Sequence, residues 1–382
     1  MRAGVYIHIP FCRSRCSYCD FATGAYDAPL AGRYVRAVAD EIGAFKLPAG
    51  NVAAAEVDTV YFGGGTPSLL APAQVEQLLA AVRERFVVAN GAEVTMELNP
   101  GTVTPDSLRA FRAAGVNRAS FGLQTFDDEA LRRLGRTHTV ADARQTFQNL
   151  RVAGFDNISF DLIAGLPGQT LSDWSHNLDE ALVLQPEHLS LYLLEVHEGT
   201  PLAEQLQRGM WPEPDADVAA EMYQLLLART ATAGYEHYEI SNFCRPGRAS
   251  RHNLKYWTAG SPYYGFGCSA HSYDGTSLRW ANERDTARYV ELVAAGRGAV
   301  VETTELDRRE ASSEALFLGL RLLTRGVDLR EHQTQFGADV RTAYADDLAR
   351  FKEAGLIEIS NDVLRLTRSG ALLSNEVFAA FV

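Results

Sequence analysis

Cys12, Cys16 and Cys19 stand close together near the start of the chain, in the spacing C-x-x-x-C-x-x-C. Three thiolates so near one another form a soft ligand set for a metal centre. Iron–sulfur clusters are held by cysteine thiolates, and a cubane cluster given three of them keeps one iron open. An open coordination position distinguishes a site that takes a small molecule from a closed structural one. Two plainer readings compete. A zinc ion would want a fourth ligand; no second C-x-x-C or H-x-x-x-H follows, although His8 could serve. Otherwise the three could simply be buried thiols.

The run Tyr61-Phe62-Gly63-Gly64-Gly65-Thr66-Pro67 is a second place where chemistry could gather. Glycines let backbone N–H and C=O groups approach a ligand with no Cβ in the way, and a proline fixes the exit. Alone, such a run reads as a turn. Behind a cysteine triad, the ligand reading gains.

These residues need elements to hold them. Apolar alternation predicts strands at Val5 to Ile9, Val57 to Phe62, Glu93 to Leu98, Arg118 to Gly122, Asn157 to Ile163 and His188 to Leu194. Three-to-four residue apolar spacing predicts helices over Leu30 to Phe45, Pro72 to Phe86, Val140 to Ala153 and Leu171 to Leu184. Repeated βα units imply a parallel sheet with right-handed crossovers. A doubly wound sheet is the generic alternative, but Cys12, Gly63, Glu97, Gln124 and Asp161 all fall at or just past predicted strand C-terminal ends, the face from which barrel enzymes build their sites. Six units give a partial (βα)6 barrel of the TIM type, open on one side, over residues 1–235.

Beyond about residue 235 the pattern shortens into aromatic-rich segments that finish or flank the barrel over 236–304. Residues 305–382 carry three helical stretches and a hairpin-like Gly355 to Leu366, a small winged-helix-like domain. Acids outnumber Lys and Arg in this tail and no basic recognition helix stands out, so packing against the barrel is expected rather than DNA binding.

The chain has 382 residues, 46% of them hydrophobic, and a net charge of −12. That charge and a pI near 5.3 argue against a nucleic acid as main partner. Of five cysteines, Cys244 and Cys268 suggest no disulfide framework, so a reducing cytoplasm is expected. No signal peptide and no run of eighteen apolar residues is visible, so no transmembrane helix is expected.

The cysteine spacing resembles that of the radical S-adenosylmethionine (SAM) superfamily. There the open iron of a [4Fe-4S] cluster is chelated by the amino and carboxylate groups of SAM, and an electron from the cluster cleaves SAM to a 5′-deoxyadenosyl radical. Further motifs carry the resemblance along the chain: Tyr6-Ile-His-Ile-Pro-Phe-Cys12, Gly63 to Pro67, Glu97-Leu-Asn-Pro100, Gly122-Leu-Gln-Thr125, Asp161-Leu-Ile-Ala-Gly-Leu-Pro167 and Tyr238-Glu-Ile-Ser-Asn242. Together they are similar to the oxygen-independent coproporphyrinogen III oxidase family, and more closely to its HemW branch, the heme chaperones. The resemblance implies that Cys12, Cys16 and Cys19 hold the cluster. It also implies that Tyr6, Tyr18, Gly64, Gly65, Thr66, Glu97, Gln124, Arg136 and Asp161 line the SAM pocket. A carboxylate at Glu97 or Asp161 can accept from ribose hydroxyls or the SAM ammonium, and Arg136 can pair with its carboxylate. Singly, each has a plain alternative as a cap, a satisfied polar residue or a surface ion pair.

Two features set the chain apart from the oxidase branch. That branch has a further cysteine two residues after the third, where this sequence reads Cys19-Asp20-Phe21; it also has an N-terminal extension, whereas Tyr6 here is almost at the start. His252-Asn-Leu-Lys-Tyr-Trp257, by contrast, matches the H-N-x-x-Y-W motif of the chaperone branch. His252 could ligate heme iron or be a hydrogen-bonded core residue, His271 reads as structural, and Cys268 reads as a small buried cysteine rather than a thiolate ligand. The resemblance thus implies a heme chaperone with an acceptor hemoprotein and an electron donor such as ferredoxin or flavodoxin. The rivals are the oxidative decarboxylation of coproporphyrinogen III and a radical SAM transfer reaction on another substrate.

Overall fold

The computed structural model describes residues 1–47 and 56–381. Six parallel strands are present where the alternation places them: β1 Ala3–Ile9, β2 Glu56–Gly64, β3 Val87–Leu98, β4 Arg118–Gln124, β5 Ile158–Ala164 and β6 His188–Leu193. The third begins earlier than expected because Val87 and Val88 already pair with Glu56 and Val57. Helices α1 Ala28–Ala44, α2 Pro72–Arg85, α3 Pro105–Ala114, α4 Val140–Val152, α5 Leu171–Leu184 and α6 Ala216–Thr232 cross between them or follow them. Several start on side-chain caps that satisfy the first free N–H groups, as Thr139 does for Asp142 and Thr170 for Asp173.

The aromatic-rich segment supplies more of the sheet than a flank. Strands β7 Glu236–Glu239 and β8 Asn242–Cys244 run antiparallel beyond β6. After helix α7 Arg251–Trp257, strand β9 Tyr263–Phe266 pairs parallel with β1, making a seventh parallel strand. Three antiparallel strands follow: β10 His271–Tyr273, β11 Leu278–Asn282 and β12 Val300–Glu305. The sheet runs β12-β11-β10-β9-β1-β2-β3-β4-β5-β6-β8-β7. Its two edge strands, β12 and β7, are not paired with each other, so the barrel is partial.

The two faces of the sheet differ in chemistry. In β5 the residues Ile158, Phe160 and Leu162 are buried in the apolar core, while Ser159 and Asp161 alternate with them on the other face. Strand register then stacks the inner residues in rows. Tyr6 stands beside Tyr61, Tyr61 beside Thr95 and Thr95 beside Arg118. In the next row Glu97 stands beside Ser120, then Ser159 and His188. Above it Gly122 stands beside Asp161 and Asp161 beside Ser190. The barrel therefore has an apolar jacket and a polar lining.

From residue 306 the chain forms more helices than the three expected, among them Arg308–Leu320, Leu329–Phe336 and Ala345–Glu353. The hairpin consists of Ile357–Ser360 and Val363–Leu366, joined at one edge by Val327–Asp328. Leu316, Leu320, Val340, Phe351, Leu364 and Val377 gather there in an apolar cluster separate from that of the barrel.

Candidate cluster and SAM site

Cys12 ends a two-residue strand, Phe11–Cys12, that pairs with Gly24–Ala25, so the cysteine loop leaves β1 and is stitched back onto it. Further main-chain bonds pin the loop from the side: Ser17 N–H donates to the Leu134 carbonyl (2.9 Å) and Leu202 N–H to the Ser17 carbonyl (2.8 Å). All three cysteines are free and half-buried. Burial pushes the Cys12 and Cys19 thiols up, with the Thr66 hydroxyl holding Cys12 back. Metal loading must therefore expel protons from the loop.

Among the described residues, no three His, Cys, Asp or Glu side chains are grouped as ligands of one metal ion. His8, the candidate fourth zinc ligand, is also spent. Its Nδ1 pairs with the Tyr6 hydroxyl (3.1 Å) and its Nε2 with the Ala22 carbonyl (2.9 Å). A single zinc ion thus has neither the convergence nor the fourth ligand. Thiols spread around one loop suit the separate irons of a cluster, each taking one sulfur.

The glycine run lies against this loop. A Cβ on Gly65 would stand 2.8 Å from the Phe11 carbonyl oxygen and 3.0 Å from Cys12 Sγ, and the Gly65 N–H donates to the Ile9 carbonyl. Gly64 has φ +111°, and a Cβ there would meet the His8 ring at 2.5 Å. Both positions exclude any larger residue, so backbone forms the wall beside the cysteines. Thr66 Oγ1 is directed at Cys12 Sγ (3.6 Å) and also accepts from Asn99 Nδ2 (2.8 Å).

A second layer rises from the inner face of the strands and the loop after β4, and Asp161 stands in the middle of β5 rather than at its end. Glu97 accepts from the Tyr61 hydroxyl (2.7 Å) and from the Gly64 N–H (3.1 Å). Burial still raises its pKa, despite these bonds and the charge of Arg118. Asp161 is pushed up to about 7 by burial and then by Glu97, with Ser190, Arg118 and Arg136 pulling the other way. Arg136 reaches across β4: its guanidinium donates to the Gly122 carbonyl (2.6 Å) and Asn99 Oδ1 (2.9 Å), and lies 3.4 Å from Cys16 Sγ. Gln124, at the end of β4, has φ +73°, a strained value for a residue with a Cβ. Tyr18 packs with Leu134, Ile163 and Leu166, and the charges of Arg136, Cys16, Cys19 and Asp161 all act on its hydroxyl. Tyr6 stacks on Tyr61.

The structure thus brings the expected SAM residues onto the face beside the cysteine loop. It adds three that were not among the expected site residues, although Tyr61 and Asn99 lie within the motifs quoted above. Asn99 ties Thr66 to Arg136, Tyr61 holds Glu97, and Arg118 lies beneath both carboxylates. Period-two spacing was the available signal: Asn99 follows Glu97 by two residues, and Arg118 shares a strand face with Gly122 and Gln124.

His252 adjoins this site through its ring, which stacks on Tyr61 and Tyr6, while both of its nitrogens are bonded elsewhere. It is wholly buried on α7, with Nδ1 bonded to Thr59 Oγ1 (2.8 Å) and Nε2 to the Tyr256 hydroxyl (2.9 Å). Burial lowers its pKa to about 3. With both ring nitrogens occupied it matches the core-residue alternative. Cys268 is buried against the Tyr34 and Thr286 hydroxyls.

Comparison with known proteins agrees with this geometry. The radical SAM superfamily model matches residues 6–181, and the HemN C-terminal domain model matches residues 306–373. The heme chaperone HemW of Bacillus subtilis is 36% identical, over 99% of this chain and 98% of that protein. HemW of Mycobacterium tuberculosis is 38% identical, over 98% of this chain and 93% of that protein. Among solved structures, coproporphyrinogen III oxidase (HemN) from Escherichia coli superposes with a TM-score of 0.82 at 25% identity, covering 100% of this chain and 89% of that one. A radical SAM domain, a HemN-type C-terminal domain and near-full-length similarity to HemW proteins establish that the chain belongs to the HemW family of radical SAM proteins.

Proposed function

We propose that this protein is a heme chaperone: it binds heme, carries a SAM-ligated [4Fe-4S] cluster and passes heme to an acceptor hemoprotein. The observation that carries the reading is similarity to HemW proteins along nearly the whole chain, at 36% and 38% identity. Cys12, Cys16 and Cys19 are the proposed cluster ligands. Their number leaves one iron for SAM, and Gly65 keeps the backbone close enough to wall the site. Tyr6, Tyr18, Gly64, Gly65, Thr66, Glu97, Gln124, Arg136 and Asp161 are the proposed SAM residues. Arg136 would orient the SAM carboxylate, while Glu97 and Asp161 would take the ammonium and ribose hydroxyls. One electron passed from the cluster to the SAM sulfonium is the chemistry the pair supplies when bound, and a ferredoxin- or flavodoxin-like donor would provide it. Among the described residues no helix is long and apolar enough to cross a membrane.

The main rival is decarboxylation of coproporphyrinogen III, favoured by the superposition with HemN. Phe21 speaks against it. This residue stands where the oxidase branch has a cysteine, and its ring is 62% exposed beside the cluster loop, a position with no thiol to offer. The test pairs two assays on anaerobically reconstituted protein. Heme titration should show stoichiometric binding, and incubation with SAM, reductant and coproporphyrinogen III should yield no protoporphyrinogen. Product formation by protein that does not bind heme would establish the oxidase instead.

A further inference from the structure

Arg118 begins β4 on its inner face and is 1% exposed, yet its Nε has no hydrogen-bond partner among the described residues. The hydroxyl of Thr95, its neighbour across β3, is likewise unpartnered. A guanidinium taken out of water is expensive unless opposite charge answers it. Here the answer comes from the rows above. Glu97 follows Thr95 by two residues on the same face of β3, and Asp161 faces Gly122, four residues beyond Arg118 on β4. Both carboxyls are drawn toward ionisation by Arg118.

Among the described residues the neighbouring groups are committed elsewhere, Lys255 among them, whose buried ammonium pairs with Asp58. His188 on β6 is bonded at both nitrogens, to Ser159 and Tyr238, and His252 on α7 to Thr59 and Tyr256. Burial keeps both rings neutral, and Arg118 adds to the effect. Tyr61 on β2 donates to Glu97 and carries no charge of its own. Arg136 also acts on Asp161, but its guanidinium is already engaged with Gly122, Asn99 and Cys16.

We propose that Arg118 is a positioning residue for SAM: from the floor of the barrel its buried positive charge favours the carboxylate forms of Glu97 and Asp161, which line the half-buried space above it. It acts on the ligand through them, without touching it. The inference rests on the reading of Glu97 and Asp161 as SAM ligands. Two like charges sharing such a space resist ionising together, so a fixed cation beneath them is what allows both to meet a cationic ligand.

The test uses anaerobic, cluster-loaded full-length protein and SAM itself. Arg118→Met and Arg118→Lys have similar shapes and differ in charge. SAM dissociation constants are measured between pH 6.5 and 8.5 and divided by the wild-type value at each pH, so that titration of the SAM amine cancels. Arg118→Met should weaken SAM about eightfold at pH 6.5, as a rise of one pKa unit on a carboxylate requires, with the ratio falling toward unity by pH 8.5. Arg118→Lys should stay within about threefold throughout, because it keeps the charge. A flat ratio for Arg118→Met, or Lys as damaging as Met, overturns the proposal. Should Arg118→Met fail to fold, Arg118→Gln, polar and neutral, takes its place: a charge role predicts the same pH-dependent loss of SAM affinity, and a loss that does not vary with pH overturns the proposal. Asp161→Asn alone separates the two levels. Unchanged SAM affinity there removes the pocket reading, whereas loss there with none in Arg118→Met removes only the role of Arg118.

Discussion

Asp161 should make the protein less stable while making it able to bind. Its carboxyl, ordinarily near 3.8, is pushed up to about 7 by burial and by Glu97. A folded-state pKa above the unfolded value means that folding favours the protonated form. That contribution is whole below about 3.8 and is lost as the pH rises through about 7. Three units at 1.36 kcal/mol each give an upper figure of about 4 kcal/mol, which partial exposure of the side chain reduces to about 2. Asp161→Asn removes the charge and keeps the shape. SAM-free, cluster-loaded Asp161→Asn should therefore resist denaturant better than wild type at pH 8.5, by about 2 kcal/mol, and by clearly less at pH 5, which lies between the unfolded and folded pKa values. The same variant should lose about 1.5–3 kcal/mol of SAM binding, or roughly 10- to 150-fold in Kd, as expected for a charged hydrogen bond. Urea unfolding at the two pH values and equilibrium dialysis with SAM measure both. A stability gain equal at the two pH values, or none at pH 8.5, would refute the reasoning, since either would mean that the buried charge carries no cost.

Other substitutions probe separate parts of the site. Cys12→Ser, Cys16→Ser and Cys19→Ser should each abolish the roughly four irons per chain of a reconstituted cubane cluster, while Cys244→Ser and Cys268→Ser should retain them; iron and sulfide analysis distinguishes these outcomes. Gly65→Ala places a methyl group against Cys12 Sγ and the Phe11 carbonyl, so it should lower cluster loading while circular dichroism stays close to wild type. His252→Phe should leave the heme absorption spectrum unchanged and cost about 1–3 kcal/mol of stability through the unpaired Thr59 and Tyr256 hydroxyls; a changed axial-ligand band would reinstate it as a ligand. Gln124→Gly should relieve left-handed strain of about 1–3 kcal/mol, raising the melting temperature while weakening SAM.

The parallel strands were legible because each alternates an apolar outer residue with an inner one, a period that sequence records directly. The cysteine loop and glycine run were legible for another reason: their chemistry lies in residues a few positions apart. Strand ends marked Glu97 and Gln124, since a barrel presents its site where strands stop, whereas Asp161 lies mid-strand in β5 and reaches the site because it faces inward. The role of β9 was not legible, because four aromatic and glycine residues before a tight return look like a flanking segment until their partner, β1, is known.

What tertiary structure alone decided is which polar residue faces what. The sequence places His252 in a motif with two aromatics and cannot tell an open imidazole from a bonded one; packing against Thr59 and Tyr256, one of them nearly two hundred residues away, closes it. His8 was settled in the same way by Tyr6 and Ala22. Arg118 reads as an ordinary strand-initial arginine until register sets it beneath Glu97 and Asp161. Residue type and spacing determine which chemistry the chain can attempt, because ligand softness, charge and backbone freedom are local properties. Protonation and ligand access depend on burial and on neighbours distant in sequence, and only the closed packing of the sheet supplies those.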